Sequence, residues 1–275
     1  MSRDAGRRFA VDAERVYLTG HSGGARVAME VALGPNDVAG VIASSAGFPD
    51  AKPRKSVRFV VFATAGTEDF NYLELRRLDA TLTSPHYLHV FDGGHTIPPA
   101  TVATEAIEWL EIAAMRAGRR EVDAALVDTL FATRRARADA ATDPAVRLRL
   151  ARALVADFAG LRDLTAEHAR LAALERDPEV TRAVARDRAG LDAEARALDE
   201  ALALEARLRD RDGRAATLAR LDTVLAGWAR TAAAADPSAE RQQARRLLGA
   251  IAAGAASRAG DAEYTDLVQR HRWRP

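Results

Sequence analysis

Ser22 stands at the centre of Gly20-His21-Ser22-Gly23-Gly24, a G-x-S-x-G pentapeptide. The apolar run Val16-Tyr17-Leu18 leads into it and Ala25-Arg26-Val27-Ala28-Met29 follows, so the serine occupies a turn from strand to helix. From such a turn a serine can serve as a nucleophile, because its Oγ projects from the end of the sheet while its own backbone is strained. Side chains two residues before and after it are expected to collide across so sharp a turn, which accounts for Gly20 and Gly24. A serine hydroxyl attacks effectively only when a base removes its proton, and a histidine titrating near neutral pH suits that task. The base in turn needs a carboxylate on its second ring nitrogen, to fix the tautomer and stabilise the imidazolium that forms.

Two downstream segments can supply those partners. Val57-Arg58-Phe59-Val60-Val61-Phe62-Ala63 reads as a buried parallel strand and breaks into Gly66-Thr67-Glu68-Asp69-Phe70-Asn71, a polar loop with two carboxylates. Tyr87-Leu88-His89-Val90-Phe91 reads as another strand and ends in Asp92-Gly93-Gly94-His95. A histidine carried on a Gly-Gly turn at a strand end is free to swing over the tip of a neighbouring strand. The residues therefore assign Ser22 as nucleophile, His95 as general base and acid, and Asp69 as orienting acid, with Glu68 the competitor for the acid's role. Asp92 reads as a solvated loop charge, and so does Glu68 if Asp69 is the acid. His21 is expected to pack beside the site, and His86 and His89 to be surface or half-buried sheet residues. None of these histidines has metal-ligand spacing to another histidine, cysteine or carboxylate, so no metal site is expected.

The elements that must position these groups follow from periodicity. Strands are expected at about 15–19, 38–44, 57–63 and 86–91, joined by helices at about 23–33, 70–83 and 101–117, with Arg7–Asp12 closing an earlier helix. From about residue 119 the character changes. Strand formers thin out, and Ala, Leu, Arg, Asp and Glu recur with helical period to the end. Helices are expected near 121–140, 144–159, 165–175, 178–211, 214–234, 237–258 and 262–272. Asp143-Pro144, Asp177-Pro178 and Asp236-Pro237 serve as start signals, and Thr165 and Asp261 as further caps. The chain thus divides into 1–118, an α/β part, and 119–275, a domain of helical hairpins. Val184, Leu191 and Leu198 repeat every seven residues in the longest helix. A short coiled coil and an antiparallel hairpin with the next helix both account for that spacing, and Asp187 and Glu194 interrupt the opposite seam. Arg134-Arg135-Ala136-Arg137 and Arg245-Arg246 read as solvated helix faces, and Trp228 and Trp273 as packing anchors.

Composition bounds the partners. With 275 residues there is room for about two domains. The formal net charge of +1 implies no long-range pull towards nucleic acid or an anionic membrane. Lys52 and Lys55 are the only lysines and alanine is abundant, the mark of GC-rich coding, so alanine-rich stretches speak less strongly for helix than usual. Cysteine is absent, which rules out disulfides and thiolate metal sites. No run approaches transmembrane length, and Met1-Ser2-Arg3-Asp4 is unlike a signal peptide.

The segment Arg15-Val16-Tyr17-Leu18-Thr19-Gly20-His21-Ser22-Gly23-Gly24-Ala25, together with Gly66-Thr67-Glu68-Asp69 and Gly93-Gly94-His95, resembles the α/β-hydrolase superfamily. The likeness is greatest to its esterase, polyhydroxybutyrate-depolymerase-like and dienelactone-hydrolase-like branch. The chain order serine, acid, histidine is the one that superfamily uses. The resemblance covers about residues 10–117 and implies hydrolysis of small-molecule or polymeric carboxylic esters through an acyl-serine intermediate, without a cofactor. It gives Ser22, Asp69 and His95 the triad and the backbone N–H of Gly23 one half of the oxyanion hole. It also implies strands ahead of the serine turn, and the loop that supplies the second oxyanion donor, whereas only Met1–Glu14 precede this strand.

The fold class expected is therefore α/β: the C-terminal half of an α/β-hydrolase parallel sheet, about four strands with flanking helices, followed by an all-α region. On this reading the hydrolase part is N-terminally truncated. Strand 16–19 becomes an exposed edge through which copies self-associate. The location is cytoplasmic as written, or secreted or periplasmic if a signal peptide preceded it. The alternative expectation is a catalytically impaired hydrolase whose helical half works as a protein-interaction module.

Overall fold

The computed structural model describes residues 6–35, 37–258 and 260–273. Met1-Ser2-Arg3-Asp4, read above as unlike a signal peptide, lies outside them. Four strands, β1 (Val16–His21), β2 (Val38–Ser44), β3 (Val60–Gly66) and β4 (His86–Phe91), form one all-parallel sheet in the order β1-β2-β3-β4. Helix α1 (Gly23–Leu33) joins β1 to β2, α2 (Tyr72–Thr81) joins β3 to β4, and α3 (Ala100–Arg116) follows β4.

Alternation along the strands decides which helix covers which face. Leu18, Val41, Ala43, Val61, Ala63 and Leu88 meet Ala25, Ala28 and Met29 of α1 and Leu75 and Leu78 of α2. Their neighbours Tyr17, Ile42, Phe62 and Tyr87 meet Val102, Ala106, Trp109 and Leu110 of α3 on the opposite face. Both faces being covered, the inner strands read as unbroken apolar runs rather than alternating ones. β1 ends the sheet on one side, and none of its residues is fully buried.

The strand expected at 57–63 is displaced to Val60–Gly66. Val57 is instead held by Ser84, whose Oγ accepts from the Val57 N–H at 2.7 Å and donates to its carbonyl at 2.8 Å. The ladder runs on through Gly66, paired with Phe91, so the polar loop starts at Thr67. β1 likewise continues to His21, paired with Ser44, and delivers the chain straight into Ser22.

Among the described residues seven α-helices follow: α4 (Ala124–Ala140), α5 (Pro144–Phe158), α6 (Thr165–Arg176), α7 (Pro178–Arg207), α8 (Arg214–Ala232), α9 (Ala239–Ala255) and α10 (Ala262–His271). Asp143, Asp177 and Asp261 cap α5, α7 and α10 through their side chains. Three starts differ from expectation: α4, expected from about 121, begins at Ala124 with Asp123 as its cap. Ser238, not Asp236, caps α9, accepting from the Arg241 N–H. Thr165 is the first residue inside α6, its N–H held by Asp163.

α4 and α5 join α3 in one cluster around Ile112, Met115, Leu130, Leu154 and Phe158. α7 to α10 share another around Leu221, Leu225, Leu248, Ile251 and Tyr264, with Trp228 and Trp273 against it. α7 packs against α8, as a hairpin requires, and also against α5, α2 and α9. The seven-residue seam organises it only in part, since Leu198 packs against the cluster of α7 to α10. Val184 is exposed, whereas Glu194, read as an interruption, is buried against Arg246 at 2.6 Å. Asp187 similarly meets Arg76 of α2 at 2.6 Å. Arg134, Arg245 and Arg246, expected on solvated faces, are corrected in the same way: each turns inward to a carboxylate.

Candidate functional site

Ser22 occupies the turn between β1 and α1 with φ 54° and ψ −120°, a backbone conformation that L-residues rarely adopt. Three contacts hold it there. Its N–H donates to the Ser44 carbonyl of β2 at 2.8 Å, and its carbonyl accepts from the Ala25 and Arg26 N–H groups at 3.0 and 3.2 Å. A Cβ on Gly20 would lie 2.2 Å from the Gly24 carbonyl oxygen, so that position excludes every side chain. A Cβ on Gly24 would meet nothing within 4 Å, which corrects the expectation that both flanks must be glycine. The clash arises between the residue-20 side chain and the residue-24 backbone, and it is not reciprocal.

α1 is fixed to α2 by Arg26. Its guanidinium donates to both oxygens of Glu74 (3.0 and 2.8 Å) and to the Phe48 carbonyl (2.7 Å). The helix presents its N-terminus beside Ser22, with Gly23 its first residue, where backbone N–H groups have no partner within the helix.

The turns after β3 and β4 are zipped together. Thr67 N–H donates to the Phe91 carbonyl at 2.9 Å and Glu68 N–H to the Gly93 carbonyl at 2.8 Å. A Cβ on Gly66 would come within 2.3 Å of that same Gly93 oxygen, so the two loops touch only because residue 66 has no side chain. This zipper brings His95 between the other two candidates. Its Nε2 lies 2.9 Å from Ser22 Oγ and its Nδ1 lies 2.9 Å from Asp69 Oδ1. An ionised carboxylate can only accept, which puts the ring proton on Nδ1 and leaves Nε2 to accept from the serine hydroxyl.

Asp69 is fully buried, and its Oδ1 accepts a second hydrogen bond from the Asn71 N–H at 2.8 Å, an Asx turn at the start of α2. Asn71 in turn donates through Nδ2 to the Ser45 carbonyl at 2.7 Å. Ser45, with φ 59°, closes β2 and directs its hydroxyl to the Thr96 carbonyl at 3.4 Å. Phe70 stacks on the His95 ring with centroids 4.0 Å apart. His21 lies on another side, its ring centroid 5.1 Å away. Burial holds the His21 imidazole below its ordinary range, and the neighbouring His95 lowers it further.

Glu68 does not reach His95. Its carboxylate meets Arg245 at 2.5 Å, so it is neither the acid of the constellation nor a solvated charge. Asp92 is exposed and accepts from the Thr67 hydroxyl at 3.1 Å. His86 is half-buried, held by the Ser84 and Asp79 carbonyls, and His89 faces Glu105 at 3.0 Å. In the sequence Phe70 and Asn71 stand only as part of the polar loop, and Ser45 has no role. Of these only Asn71 carries a local signal, standing two residues after a buried aspartate.

Among the described residues no group of histidine, cysteine and carboxylate side chains could hold a metal ion. No helix among them is long and apolar enough to cross a membrane. A cleft of about 270 Å³ lies within the helical region, between α4, α5 and α6. Its three arginines are engaged, Arg135 by Asp139 and Glu167, Arg147 by the Ala141 carbonyl and Arg170 by Glu167 at 3.8 Å. No protein-family model matches the chain, and neither a curated protein nor a solved structure matches it.

Proposed function

We propose that the chain is a serine hydrolase of carboxylic esters. The observation that carries this reading is the unbroken hydrogen-bonded series Ser22–His95–Asp69, with the serine in a strained turn at a strand end. Ser22 Oγ attacks the ester carbonyl while His95 Nε2 takes the hydroxyl proton. Charge gathers on the former carbonyl oxygen, and the Gly23 N–H at the start of α1 is the donor offered to it. Collapse breaks the bond to the alcohol, which leaves with the proton from His95, and an acyl group remains on Ser22. Water then attacks that acyl group with His95 again as base, and release of the carboxylic acid restores the serine. Asp69 keeps the imidazole in the required tautomer and balances its charge in both half-reactions.

A fluorophosphonate probe tests the reading, since it reacts with a serine activated in this way and with few others. The full chain is expected to be labelled at Ser22, with labelling abolished in Ser22→Ala and in His95→Ala. A chain that stays unlabelled while folded ends the hydrolase reading. The alternative, an interaction module, would then be tested through the helical half.

A further inference from the structure

We infer that helix α9, from the far end of the chain, is a positioning element for His95 and Asp69, an inference that rests on the hydrolase reading. Asp69 lies in the loop 67–71, and three of the residues around it are held by α9. Arg246 donates to the Thr67 carbonyl at 2.6 Å. Arg245 donates to the Glu68 carboxylate at 2.5 Å. Gly249 lies against Phe70, so closely that a Cβ there would stand 3.3 Å from the Phe70 Cβ and 3.6 Å from its Cδ1. Phe70 is the ring that stacks on His95. The contacts therefore run from α9 to Phe70 to the imidazole on one side, and from α9 through the loop backbone to the carboxylate on the other.

The clamp is itself braced. Arg246 is fixed at its other nitrogens by both oxygens of Glu194 on α7, at 2.8 and 2.6 Å, and its guanidinium lies over the Tyr72 ring at 4.4 Å. Arg245 lies over the Trp273 ring at 4.0 Å and donates to the Ala232 carbonyl at the end of α8. Neither arginine is free to follow the loop if it moves, so the loop is held to the helices. Glycine is a poor choice for the interior of a helix, and α9 contains two, Gly249 and Gly254. A Cβ on Gly254 would meet nothing within 4 Å. Only at Gly249 does the missing side chain have a steric purpose, and that purpose is to seat Phe70. His95 must keep 2.9 Å to Ser22 on one nitrogen and 2.9 Å to Asp69 on the other, so a ring displaced by a fraction of an ångström loses one bond or the other.

The test compares the full chain with Gly249→Val, Gly249→Ala and Arg245→Ala, and with Gly254→Ala as the control in the same helix. Two readouts are taken: the rate of fluorophosphonate labelling of Ser22, and the downfield proton resonance of His95 Nδ1–H in the NMR spectrum. Gly249→Val and Arg245→Ala are expected to slow labelling by about tenfold or more and to shift or broaden that resonance. Gly249→Ala is expected to do both to a smaller degree, although alanine favours the helix. Gly254→Ala, with the same gain in helix propensity, should leave both readouts as in the parent. If valine unfolds the chain, the contrast between the two alanine variants still decides. Equal labelling and an unmoved resonance in every Gly249 and Arg245 variant would overturn the inference. Should the parent chain not be labelled at all, the hydrolase reading fails, and the resonance still reports whether α9 positions the imidazole.

Discussion

In the sheet region the buried polar side chains Ser44, Ser45, Thr64 and Asp69 gather at the ends of β2 and β3 or in the turns just beyond, where His95 and Ser22 also meet, while Glu105 on α3 is paired with His89 and with Arg137 of α4. In the helical region Arg134, Asp157, Glu167, Glu194, Glu205 and Arg246 are buried at points spread over five helices. Polar groups concentrated at one end of a sheet serve a site. Dispersed and joined in pairs, as Arg134–Asp157, Arg246–Glu194 and Arg258–Glu205 are, they link helices beside their apolar clusters. One region gathers most of its buried polarity at the candidate site, and the other uses its own for attachment.

Substitutions that separate site from attachment put this contrast at risk. The largest effect is expected at Gly20, where an alanine Cβ meets backbone rather than a movable side chain. Gly20→Ala should cut labelling of Ser22 by about a hundredfold or more, while Gly24→Ala stays within roughly twofold of the parent. Similar rates for the two variants would mean that the strained turn is not what activates the serine. Next comes Arg246→Ala, which strands Glu194 in the interior and should cost about 3–5 kcal/mol in urea denaturation. A cost below about 1 kcal/mol would show that the helical region does not depend on its buried pairs.

The smallest effect is one of pH, and it has opposite signs in the two regions. On α3, burial pushes Glu105 up, but His89 and Arg137 together outweigh it and hold the carboxyl at about 2. Its stabilisation is present above its ordinary value of 4.5 and is lost as pH falls towards 2. On α5, burial of Asp157 prevails over Arg134 and pushes that carboxyl up to about 6. In the folded state Asp157 keeps its proton above its ordinary 3.8, so stability declines as pH rises from there to about 6. Each is worth roughly 2–3 kcal/mol across its window. Urea midpoints measured from pH 3 to 7 should lose the acid-side decline in Glu105→Gln and the decline between pH 4 and 6 in Asp157→Asn. An unchanged profile in Asp157→Asn would assign that decline to other groups.

The same contrast explains how much could be read from the sequence. The serine turn, the order of Ser22, Asp69 and His95, and the four strands follow from local rules. Steric demands at Gly20 act over five residues, and β2 and β3 show themselves as short unbroken apolar runs. The β3 boundary was displaced by three residues because Ser84, distant in sequence, captures Val57. Between Glu68 and Asp69 no local rule discriminates strongly, since both stand in one polar loop. What separates them is Arg245, 177 residues further on, which occupies Glu68. Arg134, Asp187, Glu194 and Arg246 sit at helix positions where a solvated charge and a buried pair look alike, because periodicity records the face and not the partner.

The bonds from Arg245 and Arg246 to the loop around Asp69 span 177 and 179 positions of the chain. During synthesis at about 5–20 residues per second, Ser22, Asp69 and His95 all emerge well before α9 does. For roughly ten seconds or more the sheet can close around its strands while the loop beside His95 has nothing to rest against. Contacts this far apart are also the costliest to close and so the slowest to form. On the proposed reading the loop beside His95 reaches its final setting only once the last helices have docked, and a chain that stops short of α9 carries Ser22, His95 and Asp69 without the Arg245 and Arg246 contacts to that loop.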